Sequence, residues 1–241
     1  MLTRMKKRVL VALAFAAITV CFTACKPKVG ANCSVDGKVQ CQDKATAFVC
    51  HSKKWEVMAC RGPKGCTGAG ASTECDQTVA KVTDVCNNAS DYTCSDDKKQ
   101  SLHCKNDKWE LDEPCGGPKG CTQSSHTVDC DTTFSKEGDK CTREDNHACT
   151  PDKKGHVVCH GGKFVLTEYC RGQNSCRVVG DKINCDDSLA SVGDPCDTED
   201  NYACSVDAKT ILKCRSKKFI LDETCRKGLS CKVSASTVGC K

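Results

Sequence analysis

Cysteine is the side chain that brings most chemistry to this sequence, with 26 among 241 residues. A thiol can close a disulfide, hold a soft metal, attack an electrophile or carry a lipid, and spacing decides among these. Twenty-four of the cysteines fall into four groups of six: Cys33, Cys41, Cys50, Cys60, Cys66 and Cys75; Cys86, Cys94, Cys104, Cys115, Cys121 and Cys130; Cys141, Cys149, Cys159, Cys170, Cys176 and Cys185; Cys196, Cys204, Cys214, Cys225, Cys231 and Cys240. Each follows Cys-x7-Cys-x9-Cys-x10-Cys-x5-Cys-x8-Cys, the first group being one residue shorter in its second and third gaps. An even count points to three bridges per unit and twelve in all, with fifteen connectivities open for each six. Structural zinc sites favour ligands two to four residues apart, whereas the closest pair here is Cys-x5-Cys and the six histidines are scattered. His156 and His160 lie in a strand-like segment that sets them on one face at wide separation. No metal and no cofactor is expected.

The elements that must position these thiols are short hairpins. In the fourth copy Thr210 to Cys214 and Phe219 to Leu221 are β-prone around a polar turn, Arg215 to Lys218. The same place holds His51 to Lys54, Lys105 to Lys108 and His160 to Lys163. A second hairpin is expected between the fifth and sixth cysteines, for example Cys176 to Val179 and Lys182 to Cys185 around Gly180. The fold class is therefore a small disulfide-rich all-β chain of four tandem six-cysteine repeats, 33–76, 86–131, 141–186 and 196–241, arranged as beads, with ten polar or small residues between one group of cysteines and the next. Units of this size cannot be held by burial alone, and the bridges must tip the balance.

Five residues after each third cysteine stands Trp55, Trp109, Phe164 or Phe219, with Val57, Leu111, Leu166 or Leu221 two residues on. A period of two puts ring and aliphatic on one strand face. They either form the unit's core, with Phe48, Leu102, Val157 or Leu212 across the hairpin, or present a ring for stacking on a sugar. Tyr92 and Tyr202, before the second cysteine, extend that platform in two copies; Val39 and His147 occupy the position in the others.

The N-terminus carries basic residues to Lys7 and Arg8, then an apolar run from Val9 to Val20, too short to span a bilayer comfortably. Phe22-Thr23-Ala24-Cys25 resembles a bacterial lipobox, which implies a signal peptide with a signal helix over 1–24, a lipid anchor on Cys25 and an anchor linker over 25–32. Lys26, Pro27 and Lys28 follow without an early Asp, which by analogy with Gram-negative sorting points to the outer membrane or cell surface. Either way the chain meets an oxidising compartment. Loss of 1–24 removes Arg4, Lys6, Lys7 and Arg8 and no acid, leaving a chain near neutrality with no case for nucleic acid.

The turn ending in Lys-Trp/Phe, the Cys-x-Gly-x3-Cys that follows, and the Gly-Asp-x-Cys openings at Gly138-Asp139-Lys140-Cys141 and Gly193-Asp194-Pro195-Cys196 resemble the chitin-binding modules of carbohydrate-binding module family 19. The fourth copy departs, with Arg226-Lys227-Gly228 after Cys225. The resemblance implies polysaccharide binding with Trp55 and Trp109 as the best-matched contacts, then Phe164 and Phe219. A structural or protein-interaction lipoprotein is the competing expectation, and protease inhibition through the basic turns at Lys53-Lys54 or Lys217-Lys218 a third. An enzyme is not expected: there is no nucleophile elbow, no phosphate loop and no His beside a matching acid.

Overall fold

A computed structural model describes residues 26–241 apart from 125–126, 181 and 235–236, so the signal segment and Cys25 lie outside the described residues. The regular structure of the described chain is all strand apart from one short 3-10 turn at Gly70–Ser72. No helix among the described residues is long and apolar enough to cross a membrane.

Each module is an antiparallel meander followed by a small hairpin. In the second, Tyr92–Ser95 pairs with Gln100–Lys105 and that strand with Lys108–Pro114; Cys121–Ser124 then pairs with Thr127–Cys130. The other modules repeat this order. One connectivity recurs four times: first to third, second to fifth and fourth to sixth cysteine. The bridges are Cys33–Cys50, Cys41–Cys66 and Cys60–Cys75; Cys86–Cys104, Cys94–Cys121 and Cys115–Cys130; Cys141–Cys159, Cys149–Cys176 and Cys170–Cys185; Cys196–Cys214, Cys204–Cys231 and Cys225–Cys240. The fifth and sixth cysteines face each other in the small hairpin, as Cys121 faces Cys130. Each bonds outward instead, so both strands of that hairpin are stapled to the meander.

The shorter third gap of the first module has a structural cause. The central hairpins of the other three carry a β-bulge, between Ser101 and Leu102, His156 and Val157, and Ile211 and Leu212. The first runs in unbroken register from Thr46↔Ala59 to His51↔Lys54. One bulged residue per module accounts for the difference.

The hairpin turns put both central residues at positive φ: Ser52 and Lys53, Asn106 and Asp107, Gly161 and Gly162, Ser216 and Lys217. This is the twist-compatible two-residue turn. Where the pair is not Asn-Asp, a carboxylate three residues after the first cysteine braces it: Asp36 accepts from the Lys53 N–H, Glu144 from Gly161 and Glu199 from Ser216. The second module has Ala89 there, and its turn uses Asn and Asp, which tolerate the left-handed region best among side-chain-bearing residues.

The linkers are docked onto the modules they join. Val79–Ala80 and Leu189–Ala190 add as parallel strands to the module that follows, and Phe134 bridges Cys149 in the same sense. Each linker opens with an aspartate that clasps the preceding module. Asp76 accepts from the Lys64 N–H and from the backbone and hydroxyl of Thr78; Asp131 accepts from Lys119 and Thr133, and Asp186 from Asn174 and Ser188. Partial burial works against these charges, but the hydrogen bonds outweigh it and hold all three carboxyls below their usual range. A Cβ on Gly62, Gly117 or Gly172 would collide with the carboxylate of Asp76, Asp131 or Asp186 respectively. That is the physical content of Cys-x-Gly. In the fourth module Lys241 stands where the aspartate would, and Lys227 where the glycine would.

Candidate functional site

The four aromatics expected as ligand contacts are core. Trp55 is 8% exposed, Trp109 3%, Phe164 1% and Phe219 0%. Each faces the third cysteine in register, as Trp109 faces Cys104, so it packs on the first-to-third bridge beside Leu102, Val157, Leu212 or, in the first module, Phe48. The aliphatic two residues on lies toward the rim, Val57 and Leu221 being exposed. These rings are therefore unavailable for stacking on a sugar in this fold.

Tyr92 and Tyr202 lie at the surface, 44% and 39% exposed. Tyr92 stacks on His103, its cross-strand partner, with ring centroids 4.3 Å apart. Tyr202 lies under the Lys213 ammonium at 4.9 Å. Tyr92 lines two junction clefts. The cleft toward the first module, about 450 Å³, brings together the amides of Gln77, Asn87, Asn88 and Gln123, the carboxylates of Glu74, Asp76 and Asp91 and the edge of Trp109. Asn87 Oδ1 and Trp109 Nε1 are buried there without a hydrogen-bond partner in the protein. The cleft toward the third module, about 470 Å³, includes Glu113, Asp129 and Arg143. Burial pushes the Glu113 carboxyl up, against the two hydrogen bonds it accepts from Thr142 across the junction.

At the junction of the third and fourth modules a network of ionisable groups occupies the same location. His147, the counterpart of Tyr92, meets His156 at 2.9 Å between Nδ1 and Nε2, and His156 Nδ1 lies 2.7 Å from Glu168 Oε1. Asp187 accepts from Asn201, and burial, reinforced by the neighbouring Glu168 charge, pushes its carboxyl up to about 6. The expectation that no His stands beside a matching acid is thus corrected. Counting back from the His160↔Lys163 pair puts His156 opposite Thr167; the bulge puts Glu168 there instead. The bulged residue is Thr167 on the facing strand, so His156 and His160 keep the one face expected of them, the first buried and the second exposed at the strand's end.

Asp187 makes a prediction about stability. The native state holds its proton to about pH 6, whereas the unfolded chain releases it near the usual carboxylate value of 3.8. Stability therefore falls as pH rises through that window. Asp187→Asn is expected to stabilise the fourth module at pH 7.5 by about 1–2 kcal/mol, allowing for solvent screening, with no gain near pH 4. Thermal melts of both proteins at the two pH values check this.

Among the described residues no group of three His, Cys, Asp or Glu side chains is arranged to hold a metal ion. Comparison of the chain with protein-family models, with curated proteins and with solved structures returns no match.

Proposed function

We propose that the chain is a non-enzymatic lipoprotein of the cell envelope, anchored through Cys25, that binds a neutral polysaccharide in the clefts between its modules. The supporting observation is Tyr92, an exposed ring between two polar clefts, one of them rich in amides and free of Lys and Arg. Side-chain amides donate and accept at once, which suits vicinal hydroxyls, and an exposed ring supplies apolar area at small entropic cost. The burial of the four repeated rings favours a second reading, a structural or protein-interaction lipoprotein without a glycan.

One experiment separates the two. The oxidised chain is passed over insoluble chitin, cellulose and peptidoglycan beside Tyr92→Ala and Tyr202→Ala variants, each checked for a full set of disulfides. Retention that falls at least tenfold in Tyr92→Ala, and much less in Tyr202→Ala, supports the cleft. Failure of the parent to bind any polymer leaves the second reading. Metabolic labelling with a fatty acid, lost in Cys25→Ser, tests the anchor separately.

A further inference from the structure

Two of the three junctions are closed by an arginine of this chain. Arg61, one residue after the fourth cysteine of the first module, holds Asp84 through Nε at 2.6 Å and Nη2 at 3.2 Å. Arg171 holds Asp194 in the same way, at 3.0 and 3.3 Å. The third aspartate of the set is Asp139, and its surroundings repeat. Each carboxylate accepts from the backbone N–H three residues before it, of Lys81, Lys136 or Ser191, at 2.8–2.9 Å. Each carbonyl accepts from the N–H of the module's core ring, Trp109, Phe164 or Phe219, at 2.9 Å.

Asp139 nevertheless has no side-chain partner among the described residues. The position that supplies arginine elsewhere is Gly116, and a Cβ there would collide with the carbonyl of Phe134, so a side chain from this point of the chain is excluded. A cleft of about 630 Å³ lies at Asp139 instead, walled by Pro114, Pro118, Phe134 and Pro151. Phe134 replaces the Val79 and Leu189 of the other linkers.

We propose that this cleft is a receptor for an arginine side chain on a partner protein, its guanidinium gripping Asp139 as Arg61 grips Asp84. The walls suit the occupant, since proline and phenylalanine accept the aliphatic stem and a guanidinium is the cation that stacks best on a ring. Lysines also border the cleft, at 98, 99, 119 and 136. They do not oppose the assignment: Lys44, Lys64 and Lys81 hold the equivalents of three of these positions around Arg61 and Asp84, and that pair forms.

The test is an amide-shift titration of the isotopically labelled oxidised chain with the blocked tripeptides Gly-Arg-Gly and Gly-Lys-Gly. Saturable shifts at Phe134, Gly138 and Asp139 are expected with the arginine peptide, at least fivefold weaker with lysine, and at least tenfold weaker in Asp139→Asn. That variant keeps an acceptor for the Lys136 N–H, and an unchanged spectrum elsewhere shows that it folds. Tyr92→Ala leaves this binding intact, which separates it from the glycan site. No saturable shift, equal binding of lysine, or full binding by Asp139→Asn would overturn the assignment.

Discussion

Alanine in place of Gly117 is expected to cost the second module about 3 kcal/mol, and most of that cost is expected to disappear when Asp131 is also replaced. The reason is steric and local. The Asp131 carboxylate lies over the Gly117 Cα and is pinned there by Lys119 and Thr133, so the new methyl must displace a group that three hydrogen bonds hold. Asp131→Ala alone forfeits those bonds, at about 2 kcal/mol. If the two residues act only through each other, the double variant costs about as much as Asp131→Ala alone; if they are independent, the costs add to about 5 kcal/mol. The chain already contains the paired change in its fourth module, where Lys227 and Lys241 replace both partners. The two tryptophans make the measurement local, since Trp55 reports the first module and Trp109 the second. Urea unfolding followed by Trp109 in a Trp55→Phe background gives the cycle directly. Additive costs would sink the clasp account.

The repeat, the hairpins and the disulfide-rich β class were legible because they rest on counting. Six cysteines recur at one spacing, and β-prone segments flank short polar turns. The connectivity was not legible, because spacing alone leaves fifteen pairings and only packing decides which thiols meet. The repeated aromatic was correctly placed on a strand face, but a period of two cannot say whether that face meets a core or solvent. The answer comes from the cross-strand neighbour: Trp109 faces a bridged cysteine, and a ring over a disulfide is buried. The junction chemistry was hidden for two further reasons. His156 reaches Glu168 only through a bulge, which breaks register counting. The Arg61–Asp84 and Arg171–Asp194 pairs join residues 23 apart across a linker, and become visible as a pattern only when equivalent positions of all four modules are aligned. That alignment needs nothing beyond this sequence, and it would have marked Gly116 and Asp139 as the exception.

Removing the Cys94–Cys121 bridge by paired substitution to alanine is expected to unfold the second module while the first stays native. The bridge closes 27 residues, and loop entropy alone assigns it about 3.5 kcal/mol, against about 3 kcal/mol for the 15-residue closure of Cys115–Cys130. Both its sulfurs are buried, Cys94 at 4% and Cys121 at 1% exposure, so loss of packing adds to loss of constraint. A module of this size has a total stability of only about 2–7 kcal/mol on a per-residue scale, so one bridge accounts for much of it. The core clusters run mainly within modules: Leu102 and Trp109 pack with Cys86 and Cys104, while Ala47, Val49 and Met58 pack with Cys60 and Cys66 and take only the half-buried Val85 from across the junction. What crosses the junction is that one partly buried valine, an ion pair at partly exposed groups and a few hydrogen bonds, including those from Gln77 to Ala59 and Val85. Such contacts contribute about 1 kcal/mol each at most, too little to carry unfolding from one core to the next. Trp109 emission should therefore shift to the red in the variant while Trp55 emission, read in a Trp109→Phe background, stays where it was. Excess reductant, which opens all twelve bridges, should shift both and abolish the native circular dichroism. A joint shift in the single-bridge variant would mean instead that the docked linkers make the modules one cooperative unit.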